Sequence, residues 1–208
     1  MSTALAAIGA TSAYAADRDR AIDTTRRLRV RMSAGMDRDI LARARAEIEA
    51  IWQPYGIAFT WTTREQEGND PPPDLWIQFL DQKVSSYTGH GAIAWVPFVD
   101  GAPMPFVRVS RPAALAVLTT RSWIGDRLIY EESSLAREIA LGRIVGRAIA
   151  HEIGHYLLGS TSHASGGLMR SAITTDNLVG PSRDSFVLRK GDVRALQVQK
   201  IPCQRCLQ

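Results

Sequence analysis

Residues 150–169, AHEIGHYLLGSTSHASGGLM, hold three of the four histidines in the chain and end on a methionine. His151 and His155 are four residues apart, a spacing that puts two helical side chains on one face. Two neutral imidazoles one turn apart can bind a single Zn²⁺ at about 2.0–2.1 Å. Glu152, between them, is then placed to reach water on the metal rather than the metal itself. Zinc lowers the pKa of that water toward about 7, and the carboxylate takes its proton as the water attacks a polarised carbonyl. A catalytic zinc usually has three protein ligands and one open position. No glutamate follows Glu152, which argues against a third ligand from a downstream helical glutamate. The candidates are His163, Asp176, Asp184, Asp192 and, upstream, His90. His163 is the strongest, because it lies just past the expected helix end, where Gly159 can turn the chain back toward the metal. His90, in T-G-H-G, reads as a turn residue or a substrate contact.

The segment resembles the signature of the metzincin zinc proteases, H-E-x-x-H-x-x-G-x-x-H followed by a methionine turn. His151, Glu152 and His155 match in register, whereas Gly159 comes one residue late and His163 two late. One added residue extends a helix by about 100°, which the second must undo. Met169, in G-G-L-M, looks like the turn methionine, an apolar floor beneath the metal and not a ligand. The resemblance implies an α+β, metzincin-like zincin: a mixed sheet, a long active-site helix, a methionine turn and a C-terminal helix. It implies a cleft between an upper lobe of about 37–159 and a lower lobe of about 160–200. An edge strand over 91–98 would pair there with an extended peptide by β-augmentation. It implies a zinc metallopeptidase, an endopeptidase acting on peptide or protein substrates, with His151, His155 and His163 holding Zn²⁺ and Glu152 as general base. Two other functions use the same constellation: a non-catalytic zinc-binding or interaction protein, and a zinc amidohydrolase acting on cell-wall components. Tyr156 reads as packing. Arg170 reads as a surface arginine, with contact to a substrate carboxylate as the alternative.

The elements that must position these residues follow from periodicity. Asp37–Trp52 predicts a helix, with Ile40, Leu41, Ala44, Ile48 and Ile51 at helical spacing. Strands are predicted over 57–62, 74–80, 92–98 and 105–110, and a short helix over 111–118. Ser134–Leu158 is the longest periodic segment. Its expected apolar stripe is Leu135, Ile139, Gly142, Gly146, Ile149, Ile153 and Leu157, with Arg137, Arg143 and Arg147 facing elsewhere. Ser133 or Ser134 can cap its start and Gly159 its end. Three glycines inside it each cost about 1 kcal/mol relative to alanine, which points to close backbone packing, expected against the sheet. A last helix is predicted over about 190–200.

With 208 residues, 45% hydrophobic and 22% charged, the chain has the composition of a single globular domain, expected over 17–208. A net charge of +4 comes from arginines scattered along the sequence. No basic helix or aromatic–basic interleaving points to nucleic acid. No run reaches the roughly 18 apolar residues of a membrane span. Residues 1–16, MSTALAAIGATSAYAA, resemble a secretory signal without its basic start, so a secreted or periplasmic location is expected. Cys203 and Cys206 form the only C-x-x-C; two cysteines cannot make a four-ligand zinc site, and a small terminal disulfide is expected in an oxidising compartment.

Overall fold

The computed structural model describes residues 26–62, 72–82, 92–119 and 133–199, and the backbone of 123–124 and 127–128. The signal-like segment 1–16, His90 and the pair Cys203 and Cys206 lie outside the described residues.

A five-stranded mixed sheet carries the fold. Its strands are β1 (Arg26–Met32), β2 (Ile57–Thr62), β3 (Leu75–Leu80), β4 (Ala94–Trp95) and β7 (Phe106–Ser110), in the order β2-β1-β3-β7-β4. All neighbours are parallel except β4, which runs antiparallel to β7 at one edge. Strand β1 was not anticipated. Its arginines obscure a strict alternation in which Leu28, Val30 and Met32 are buried, the period-two pattern of a strand with one covered face. These side chains join Leu75, Ile77, Val107 and Val109 in the core. Each such aliphatic residue contributes roughly 1.5–3 kcal/mol by leaving water.

The edge strand is shorter than the expected 92–98. Pro97 has no N–H to continue a ladder, and the chain turns at once into a hairpin, β5 (Phe98–Val99) and β6 (Ala102–Pro103). Asp100 and Gly101 make that turn with φ of 52° and 78°, both positive as a type I′ hairpin requires. A further two-stranded piece joins β8 (Trp123–Ile124) to β9 (Arg127–Leu128).

Five α-helices are found among the described residues: α1 (Arg38–Trp52), α2 (Arg111–Thr119), α3 (Ser134–Leu158), α4 (Thr175–Val179) and α5 (Lys190–Val198). The Asp37 side chain caps α1 and that of Ser133 caps α3. The interior glycines of α3 serve a different neighbour from the one expected. A Cβ on Gly142 would lie 2.5 Å from Arg43 Cβ, and one on Gly146 would lie 2.8 Å from Ala44 O and 2.7 Å from Glu47 Cβ. Two of the three glycines therefore let α1 cross α3 at backbone contact.

Two expectations for the α3 faces are corrected at this crossing. Leu135 is 53% exposed, because the first turn of α3 projects beyond its packing partners. Arg147, expected to face outward, has no exposed surface. Its Nε donates to Glu47 Oε1 at 2.7 Å, and Nη1 donates to the carbonyls of Leu178 at 3.3 Å and Gly180 at 2.8 Å, and to that of Asn177. Its guanidinium also lies 4.8 Å from the ring centroid of Phe186. Arg183 holds the second Glu47 oxygen through Nε and Nη2 at 2.9 and 2.7 Å. Burial pulls the Arg147 pKa down while Glu47 pulls it up. Removing one partner of a buried pair strands the other charge, at a cost of about 3–5 kcal/mol. Glu47→Ala should therefore lower the urea-unfolding free energy by about that amount. Arg183→Ala, whose side chain is 49% exposed, should cost less than about 1 kcal/mol. Equal losses for the two variants would show that Arg147 is not the buried charge that matters.

Candidate metal centre

The last two turns of α3 carry His151 and His155, both buried. Their ring orientations are set by backbone carbonyls. His151 Nδ1 lies 2.7 Å from Leu168 O, and His155 Nδ1 lies 2.7 Å from Ser160 O. A carbonyl only accepts, so each Nδ1 carries the proton and each Nε2 presents its lone pair. His155 Nε2 is 3.0 Å from His151 Nε2 and 3.2 Å from His163 Nε2. The rings of His151 and His163 lie nearly parallel, 5.4 Å apart, with His155 edge-on to both.

This arrangement fits a cation. Facing lone pairs repel, and neither His151 nor His155 has an Nε2 proton to relieve the contact. Ligand nitrogens bound at about 2.0–2.1 Å around a tetrahedral ion are spaced about 3.3 Å apart, close to the observed separations. Burial holds the pKa of His151 down to about 4 and lowers that of His155, so both stay neutral, the form that binds metal. Among the described residues, His151, His155 and His163 form the one cluster able to hold a metal ion. Asp176 and Asp192 stand in the first turns of α4 and α5. These two and Asp184 lie outside the cluster.

The displaced glycine and third histidine are accommodated locally. Gly159 ends α3 in the left-handed conformation with φ of 58°, and its N–H and that of Ser160 return to carbonyls of the last turn. The added residues then place the Ser160 carbonyl on His155 and bring His163 round to the same ion position. A tight turn follows, closed by Ala164 N–H to Met169 O at 2.7 Å. Its Leu168 carbonyl orients His151, and buried Met169 packs against Gly154, between the two helix histidines. The third interior glycine of α3 thus makes room for this methionine.

Glu152 Oε2 accepts the Val96 N–H at 3.0 Å, just beyond β4. Burial raises its pKa to about 8, opposed by that hydrogen bond; a cation at the histidines would pull it back down. Tyr156 is packing, as expected: it is buried and its hydroxyl donates to Asp74 O at 2.8 Å. Arg170 is neither a plain surface residue nor poised for substrate. Nε donates to Gly167 O at 3.0 Å, Nη1 to Asn177 Oδ1 at 2.8 Å and Nη2 to Ser185 O, bracing the turn against the segment after it. Sequence reasoning could not find the carbonyls of Ser160 and Leu168 or the Val96 N–H, since every residue offers these groups.

No protein-family model and no curated protein matches the chain. Its fold does match a solved structure, archaemetzincin from Methanopyrus kandleri. The TM-score is 0.51 with 13% sequence identity, over 83% of this chain and 93% of that one. The fold is a metzincin-like zincin, as the motif resemblance implied.

A Cβ on Gly154 would fall well inside the contact distance of Met169 Sδ. Gly154→Ala should therefore displace the methionine, cost about 1–3 kcal/mol of stability and weaken metal retention. Adding Met169→Ala to Gly154→Ala should recover part of the stability. Full additivity of the two losses in a double-mutant cycle would show that the residues do not press on each other.

Proposed function

We propose that the protein is a zinc-dependent metallopeptidase, with His151, His155 and His163 as the zinc ligands and Glu152 as general base. The observation that carries this reading is the convergence of three imidazole Nε2 atoms beside a carboxylate whose pKa is raised. A zinc ion held there, with one position open, supplies a Lewis acid and makes water acidic near neutral pH. The residues divide the remaining work. Val96 fixes Glu152 Oε2, leaving Oε1 without a partner among the described residues and free to take a proton from the attacking water. The same carboxyl can return that proton to the departing amine.

Strand β4 gives a peptide a place to lie. Ser110 N–H binds Ile93 O, and antiparallel ladders alternate, so the Ala94 backbone faces away from β7. An extended substrate pairing with Ala94 would run past Glu152 and the histidines, which favours peptides over compact substrates. Export, suggested by residues 1–16, would place this activity outside the cytoplasm.

The test is zinc content and peptide hydrolysis for wild type, Glu152→Gln and His163→Ala. One zinc per wild-type chain is expected. Glu152→Gln should keep that zinc and lose hydrolysis by at least about 10²-fold, while His163→Ala should bind zinc far more weakly. Retained activity in Glu152→Gln would remove it as the base. Hydrolysis of cell-wall fragments but of no peptide would make the protein an amidohydrolase, and zinc without any hydrolysis would make it a binding protein. Wild-type zinc affinity in His163→Ala would end the three-histidine assignment.

A further inference from the structure

A second site lies beside the crossing of α1 and α3. Arg43, Ala46, Glu47, Ile139, Arg143 and Arg183 line a cleft of about 170 Å³. Arg143 precedes His151 by eight residues, about 12 Å along the helix, so this cleft is separate from the histidine cluster. Three guanidinium groups share it, and the field of Arg143 and Arg183 also reaches buried Arg147. The one carboxylate in the lining is Glu47, and both its oxygens are engaged, Oε1 by Arg147 and Oε2 by Arg183. Arg143 directs Nη1 to Val179 O at 3.0 Å. Arg43 has no hydrogen-bond or ion-pair partner among the described residues, and its Nε is buried away from water. Nη2 of Arg147 is buried and unpartnered as well. Three cations therefore line the cleft with one anion that is already engaged, and a fourth, Arg147, lies close enough for their field to reach it.

We propose that this cleft binds a small tetrahedral oxyanion, inorganic phosphate or the phosphoryl group of a phosphomonoester, through Arg43, Arg143 and Arg183. The chemistry selects phosphate. Guanidinium forks match pairs of phosphate oxygens, and a doubly charged ion offsets more of the excess than a single carboxylate does. The size agrees. The cleft has the volume of about five or six waters, below the roughly 300–1,000 Å³ of sites for larger organic ligands. The three arginines come from α1, from α3 and from the segment that follows α4, so a bound dianion fastens the junction that Glu47 and Arg147 already hold. This inference does not depend on the peptidase reading.

The test titrates the full-length protein with inorganic phosphate at constant ionic strength, chloride replacing phosphate, and follows heat of binding and Tm. Saturable binding is expected, with Tm rising by about 3 °C at a phosphate concentration tenfold above Kd. Arg43→Gln should weaken binding at least tenfold and abolish the rise in Tm, while its Tm without phosphate stays at or above that of wild type. Arg143→Gln should also weaken binding, and if it folds poorly Arg43→Gln decides alone. Glycerol 3-phosphate separates the sources. Equal affinity for it assigns the cleft to phosphoryl groups carried on larger molecules, and binding of inorganic phosphate alone assigns it to the free ion. The proposal is overturned if phosphate does no more than chloride. It is equally overturned if Arg43→Gln keeps wild-type affinity, which would place any bound phosphate elsewhere, at a metal in the histidine cluster for instance.

Discussion

Arg147 carries a full positive charge to a position without solvent contact, and the structure around it is arranged to meet that charge. Desolvating a guanidinium costs several kcal/mol, which its partners must offset. Here the partners come from three separate parts of the chain. Glu47 belongs to α1, Arg147 to α3, and the carbonyls of 177, 178 and 180 to the segment beyond the methionine-containing turn. A misplacement of any one of them leaves a buried ion unpaired. The pair thus selects one relative placement of the two helices and of the segment beyond them. Gly142 and Gly146 permit the close approach that this placement requires.

The consequence for the site is geometric. Arg147 sits one helical turn before His151, and the segment it holds is continuous with the turn whose Leu168 carbonyl orients that histidine. Trp52, at the end of α1, donates from Nε1 to Ala150 O at 3.2 Å, beside the first histidine. The histidine cluster is therefore arranged by backbone and steric contacts around α3 and not by the histidines alone. Two carbonyls set two tautomers, one glycine admits one methionine, and one amide fixes one carboxylate oxygen.

How much of this was legible in the sequence depended on whether side chains or backbone carried the information. The histidines, Glu152, Met169 and the capped span of α3 are encoded in residue type and spacing, and they emerged with their bounds. The offset of His163 looked like a departure from the resembling pattern, because a sequence does not show where a carbonyl will point. The Ser160 carbonyl turns the added residues into a support for His155. Strand β1 was obscured because its outward positions are arginines, which read as a charged run rather than as one face of a sheet. Arg147 was misplaced for a related reason. Its type argues for solvent, and only its encounter with Glu47, 100 residues away, reverses that. Interior glycines signalled close packing correctly, but the partner was a helix and the methionine turn, not the sheet. The brevity of β4 was written in Pro97, whose missing N–H stops the ladder.

The same division explains how a fold can match at 13% identity while no sequence family does. A carbonyl that holds an imidazole constrains where the chain passes, not which residue supplies it. The glycine–methionine contact needs a void and a flexible apolar side chain, and the helix crossing needs small residues at two positions. These demands fix a few sites and leave most others free to drift. The buried ion pair is different, because losing either Glu47 or Arg147 alone strands the charge of the other. Arg43 and Arg143 line the cleft beside Glu47, and Arg143 also ties α3 to the Val179 carbonyl. A scaffold defined mainly by backbone geometry leaves room for both the histidine cluster and the arginine-lined cleft, which lie about 12 Å apart along the same helix, α3.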